Sequence, residues 1–126
     1  MNKMNRNKTL ISLLLALPNS IPIGSARLDI ATDTSDIDIC IYKKDLSDSF
    51  LYELMYMGKV SYDYEDSLLM LESFLIKIDN IDIFIFDDKV KLSIVEVAMT
   101  ALENYPKFIL RIKWLRVKMF RHFLIK

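Results

Sequence analysis

Two short runs in which aliphatic residues alternate with acids constrain the fold of this chain more than any other feature. From Asp36 to Tyr42 the sequence reads DIDICIY, and from Ile81 to Phe86 it reads IDIFIF. A period of two belongs to a β-strand, whose successive side chains point to opposite faces. The first run therefore sets Asp36 and Asp38 on one face, with Ile37, Ile39 and Ile41 on the other. In the second, Ile81, Ile83 and Ile85 share a face, and Asp82 is a single acid in an otherwise apolar strand. Taken alone, such alternation is also what a half-exposed surface strand looks like.

The flanking sequence supplies the remaining elements. An apolar run from Leu10 to Leu17 comes after Lys3, Arg6 and Lys8, and it reads either as a short signal peptide or as an amphipathic helix ended near Pro18 and Asn19. The helix accounts for the same residues without a cleavage near Ser25 or Ala26. Ser20 to Ile23 is a short strand leading into Gly24-Ser25. Leu46, Phe50, Leu51, Leu54 and Met57 recur at helical spacing, which predicts a helix over 45–57 with Asp45 as N-cap and Gly58 just past its end. Val60 to Asp66 lacks a clean period and is a loop or an edge strand. Ser73 to Ile78 and Ile81 to Phe86 form a hairpin through Asp79-Asn80, residues that tolerate left-handed backbone angles. A helix over 93–104, a break at Tyr105-Pro106 and a second helix from Phe108 onward complete the chain.

Length and composition set bounds on this arrangement. With 126 residues, just over half of them apolar, the chain has material for one core, so residues 1–126 are expected as a single domain with a core over 1–90 and a helical segment over 91–126. The fold class expected is α+β, a small mixed sheet flanked by helices. Only two glycines occur, which gives weight to the position of Gly24 directly before Ser25. One cysteine, Cys40, cannot close an internal disulfide and fits a reducing, cytoplasmic setting. The apolar run near the N-terminus is too short to span a bilayer, and no membrane partner is expected.

Charge sums to zero but is segregated. Asp29 to Asp88 holds fifteen Asp and Glu against four Lys, whereas Lys107 to Lys126 holds seven Lys and Arg and no acid. The basic end could match the acidic middle of the same chain, or it could meet nucleic acid, an acidic partner or a membrane surface.

Gly24 lets the backbone approach a ligand closely, and Ser25 adds a hydroxyl beside backbone N–H groups that a polyphosphate could occupy. Ten residues later come Asp36 and Asp38, two carboxylates able to bridge hard divalent ions such as Mg2+ or Mn2+. Asp82, from another strand, can complete the shell of such an ion and accept a proton. Phosphoryl chemistry on a nucleotide needs these parts together: charge neutralisation, alignment of an attacking hydroxyl and stabilisation of a leaving pyrophosphate.

This spacing, Gly-Ser, ten residues, then Asp-x-Asp, resembles the minimal nucleotidyltransferase group of the DNA polymerase beta superfamily. The resemblance covers roughly Ile21 to Phe86. It implies the polymerase-beta-like fold and a single reaction: transfer of a nucleoside monophosphate, from ATP first of all, to a hydroxyl of a protein, RNA or small molecule. A tyrosine of a partner protein is one such acceptor, as in the antitoxin members. It further implies Asp36, Asp38 and Asp82 as catalytic and metal-holding residues, and Gly24, Ser25, Arg27 and Ser35 on the nucleotide. Where many members carry an Arg-Gly loop, this chain has Ala26-Arg27-Leu28-Asp29. Its C-terminal stretch, with Lys113, Trp114, Arg116, Val117, Phe120 and Arg121, looks closer to small phage-encoded nucleotidyltransferase-like proteins.

Several residues have plainer roles open to them. Arg27 could clamp a phosphate or pair with Asp29 or Asp33. Asp79, Asp87 and Asp88 suit turns or solvent, His122 an exposed helix position, and Cys40 packing on the sheet. The stripe Ile109, Ile112, Leu115 or Arg116, Met119 and Phe123 suits core contact. An alternative to the enzyme is a weak or inactive nucleotidyltransferase-like module that docks its basic C-terminal helix on a protein or RNA.

Overall fold

The computed structural model describes residues 3–62 and 67–125, with side chains from Asn7 onward. Strands β1 (Ile21–Ile23), β2 (Ile37–Tyr42), β3 (Lys59–Ser61), β4 (Phe74–Ile78) and β5 (Ile81–Phe86) form one mixed sheet in the order β1-β2-β5-β4-β3. The helices are α1 (Lys3–Leu15), the single turn α2 (Gly24–Arg27), α3 (Asp48–Met57), α4 (Lys89–Leu102), α5 (Lys107–Leu110) and α6 (Lys113–Leu124). The expected α+β architecture is the one observed. A pairing not expected from the sequence joins β2 and β5 as parallel central neighbours, with Ile37 opposite Ile81 and Asp38 opposite Asp82.

Two separate cores explain the two-residue period. The odd-numbered isoleucines of β2 and β5, with Phe74, Ile76 and Ile78, pack on Leu10 and Leu14 of α1 and Leu51 and Leu54 of α3. Cys40, Leu75, Phe84 and Phe86, on the other face, pack on Val95, Ala98, Met99 and Leu102 of α4 and on Leu110 and Leu124. All six residues of β5 are buried, as a central strand covered on both faces should be. Edge positions carry the residues that edges tolerate: Pro22, exposed on β1, and Lys59, exposed on β3.

The hairpin turns at Asp79-Asn80, with Asp79 at φ 53°. The Val60 to Asp66 stretch begins as the edge strand β3, and 63–66 lie outside the described residues. Helix starts differ from expectation, and each difference has a local cause. Ser47, not Asp45, caps α3, its hydroxyl accepting from the Phe50 N–H at 3.2 Å. Asp45 instead sits in a 3-10 turn and accepts from the backbone N–H and side-chain amide of Asn19, at 3.1 and 2.9 Å. Helix α4 begins at Lys89 rather than Ser93 because Asp88 accepts from the Val90 N–H at 2.8 Å. The expected terminal helix is broken into α5 and α6, and the Arg116 guanidinium donates to the Leu110 carbonyl across the break at 2.7 Å. The break turns Ile112 outward, so it is exposed rather than part of a core stripe.

Gly58 ends α3 where the chain passes close over β4. A Cβ there would lie 2.7 Å from the Lys77 carbonyl oxygen and 2.8 Å from Ile76 Cγ2. Gly58→Ala should lower unfolding stability by about 1–3 kcal/mol, the usual cost of forcing atoms into a packed contact. Urea denaturation monitored by circular dichroism checks this, and an unchanged midpoint would mean that β4 yields freely.

Candidate functional site

Asp38 and Asp82 lie side by side near the starts of two parallel strands, and both side chains leave the sheet on the face toward α4 and α6. Asp82 is buried and Asp38 half-buried. On the far side of Asp38, β1 pairs antiparallel with Ile23 in register, which delivers Gly24 directly onto the carboxylate. Gly24 has φ 71°, and a Cβ on it would stand 2.5 Å from Asp38 Oδ2. Glycine is required on both counts, because no side chain fits and few residues adopt that angle.

A cavity of about 270 Å³ opens over this pair. Gly24, Ser25, Ser35, Asp36, Asp38 and Asp82 all line it, so both halves of the sequence motif and the hairpin acid meet in one place. Asp36 is exposed at the rim. It precedes β2, whose first cross-strand bond is from the Ile37 N–H to the Asn80 carbonyl at 2.8 Å, and so stands outside the ladder that holds Asp38. The Ser35 hydroxyl accepts from the Thr32 N–H at 2.9 Å and closes the loop between the two halves. Buried Glu72 accepts the Leu68 N–H at 3.1 Å through either carboxylate oxygen, and this holds Ser67 and Leu68 in the cavity lining.

Two residue sets at the site were not assigned to it from the sequence. Lys77 of β4 stands opposite Asp82, with its ammonium 3.8 Å from Asp82 Oδ1. Lys113, Arg116 and Arg121 of α6 line the cavity wall together with Val117 and Phe120. The charge of Asp38 acts on Arg116, whose pKa is nevertheless lowered, chiefly by burial. The segregation of acids to the middle of the chain and cations to its end was the only signal of this pairing. The floor is apolar, with Leu28, Leu68, Phe84, Met99 and Leu102 contributing.

Arg27 is not brought to the cavity. Its guanidinium donates to Glu96 at 2.6 and 2.7 Å and to Glu103 at 2.6 Å, both on the α4 side, and it is largely shielded from solvent. Neither Asp29 nor Asp33 is its partner; Asp29 pairs with Lys107 at 2.8 Å. Burial pushes the Cys40 thiol well up, and the charge of Asp38 adds to that, so it remains a protonated packing residue. His122 is exposed on α6 beside Phe123.

The carboxylates fit a divalent cation as a pair. Asp38 and Asp82 are in register on one face, and the missing side chain of Gly24 leaves room above Asp38. Among the described residues, no group of three His, Cys, Asp or Glu side chains is already gathered for a metal. The sequence matches no family model, and comparison with curated proteins and with solved structures gave no significant match.

The bonds to Arg27 hold the Glu96 carboxyl below its ordinary range. Arg27→Ala should lower stability at neutral pH by on the order of 1 kcal/mol, a modest figure because both glutamates are more than a third exposed and screened. A carboxyl with a lowered folded-state pKa stabilises above its unfolded value and loses that contribution as pH falls through the folded one. The gap between parent and variant, measured by urea unfolding at successive pH values, should therefore shrink below the ordinary glutamate pKa of about 4.3. A gap independent of pH would exclude the ion pair as its source.

Proposed function

We propose that this chain is a metal-dependent nucleotidyltransferase that moves a nucleoside monophosphate, from ATP first of all, to a hydroxyl of a protein, RNA or small molecule. The observation that carries this reading is one cavity lined at once by Gly24-Ser25, by Asp36 and Asp38, and by Asp82. Supporting it are the in-register Asp38–Asp82 pair and the side-chain-free approach of Gly24 to Asp38. Asp38 and Asp82, with Asp36 from the rim, would hold Mg2+ or Mn2+, which when bound supplies charge neutralisation and a template for the phosphates.

The chain's own groups divide the remaining work. Gly24 and Ser25 border the phosphates, and the apolar floor excludes water from the reacting end. In the transfer, the acceptor hydroxyl oxygen bonds to the α-phosphorus while the bond from that phosphorus to the bridging oxygen breaks. Pyrophosphate leaves with the electron pair, and Asp82 accepts or relays the hydroxyl proton. A cytoplasmic setting accords with the lone buried thiol of Cys40, and no helix among the described residues is long and apolar enough to cross a membrane.

One observation favours a second reading. The Lys77 ammonium already faces Asp82, as it would in a nucleotidyltransferase-like module that binds without turnover and docks on a partner through its basic end. Incubation of the protein with magnesium, ATP labelled at the α-phosphate and a cell extract separates the two. Labelled product should appear with the parent and fall at least about 100-fold with Asp38→Asn or Asp82→Asn. Equal labelling by the Asp38→Asn/Asp82→Asn double variant would sink the assignment of these residues. Nucleotide binding with no labelled acceptor would support the module.

A further inference from the structure

Leu69 and Met70 stand in a conformation that their side chains do not suit. Both have left-handed backbone angles, φ 57° and 62°, and the Leu71 N–H donates to the Leu68 carbonyl across them at 3.1 Å. Two successive left-handed residues are the pattern of a type I′ turn, for which Asn-Gly is a preferred pair. The other non-glycine residues with positive φ, among the described ones, are Asp29 and Asp79, and aspartate tolerates the angle. A leucine and a methionine gain nothing there from the backbone.

They gain little from packing either. Leu69 is 42% exposed and Met70 62%, whereas Leu68 is buried and Leu71 packs against the core. The bonds around the turn nevertheless hold it in place. The Met70 N–H donates to Ser67 Oγ at 2.9 Å, and the Leu68 N–H donates to the Glu72 carboxylate at 3.1 Å. Backbone strain that its surroundings over-determine in this way collects at functional sites. This turn directly follows Ser67 and Leu68, which line the same cavity as Asp38 and Asp82.

We infer that Leu69 and Met70 are specificity residues for the acceptor: beside the cavity they contact apolar residues that flank the reacting hydroxyl, and so favour a polypeptide acceptor over RNA. That the flanked hydroxyl reacts rests on the proposed transferase; the contact with an apolar polypeptide does not. The chemistry of the two side chains sets the partner. Neither offers a cation to meet a phosphate or an aromatic face on which a base could stack, and methionine adapts its shape to varied apolar surfaces.

Leu69→Asn/Met70→Gly installs the pair that the turn prefers and keeps the Ser67 and Glu72 bonds to the backbone. Urea unfolding should give this double variant a midpoint above the parent's, since strain is relieved. Val97→Gln serves as a control, because Val97 is 68% exposed on α4 and does not line the cavity. Fluorescence anisotropy would compare three tagged probes: a peptide whose tyrosine is flanked by leucines, the same peptide with glutamines in place of the leucines, and an oligouridylate. The parent should bind the leucine peptide at least about fivefold more tightly than the glutamine peptide, as partial burial of two aliphatic side chains allows. The double variant should lose that preference, and Val97→Gln should keep it. A variant midpoint no higher than the parent's, a parent without the leucine preference, a preference kept by the double variant or lost in Val97→Gln, or tighter binding of the oligouridylate than of the leucine peptide would each overturn the assignment. Repeating the comparison with magnesium and ATP labelled at the α-phosphate separates the two readings. A peptide preference that behaves as expected without any label transferred would count against the transferase alone. Label transferred to the leucine peptide equally by parent and double variant would count against the turn alone.

Discussion

The parallel pairing of β2 with β5 is the constraint on which the rest of the structure depends. It sets Asp38 beside Asp82 at the spacing of adjacent strands, about 4.8 Å, on a partly buried face. Like charges directly opposite one another on neighbouring strands are destabilising. The fold answers with cations from two directions: Lys77 from the neighbouring strand β4, and Arg116 from α6, which senses the charge of Asp38.

The two faces of the sheet divide stability from chemistry. Toward α1 and α3 the central strands present isoleucines and no charge, a packing surface that fixes the strands to one another. Toward α4 and α6 the same strands present an acid and then aromatic or small residues, so the site sits at one end of a core rather than on an open surface. Arg27 belongs to this division. By tying the α2 turn to Glu96 and Glu103 it holds Gly24 against Asp38, which makes it a positioning residue for the turn.

How much of the structure is legible in the sequence depends on the range over which each signal acts. Strands β2 and β5 and the turn at Asp79-Asn80 are written in neighbouring residues, and the structure has them where the alternation puts them. The gathering of Gly24, Ser25, Ser35, Asp36 and Asp38 is legible as a spacing, since a short loop leaves little freedom between its ends, whereas Asp82 reaches them through the β2–β5 pairing, which no local spacing gives. The start of α3 is not, because Asp45 and Ser47 are both good caps, and only the distant Asn19 decides that Asp45 is used elsewhere. Arg27 escapes a local reading for the same reason. Its partners are 69 and 76 residues away, and no local pattern selects them over Asp29 or Asp33. The cations of α6 are visible only as a basic stretch, because which of them face inward depends on the break at Arg111-Ile112 and not on helical spacing alone.

That break also explains why α6 needs the site as much as the site needs α6. The helix has no side-chain cap at Ile112 and no acid in its first turn, and Lys113 stands there instead, against the helix dipole. Its apolar contacts are mostly partial: Met119, Phe120 and Phe123 are half-buried, and only Leu124 is fully so. A helix with these deficits gains little from its own sequence. What it gains is the charge of Asp38, which acts on Arg116, and a place in the wall of the cavity that Asp36 and Asp38 also line. The same charges that make the paired strands costly therefore favour the docking of the last helix. The cavity is completed by the attraction between the acidic middle of the chain and its basic end, which a net charge of zero conceals.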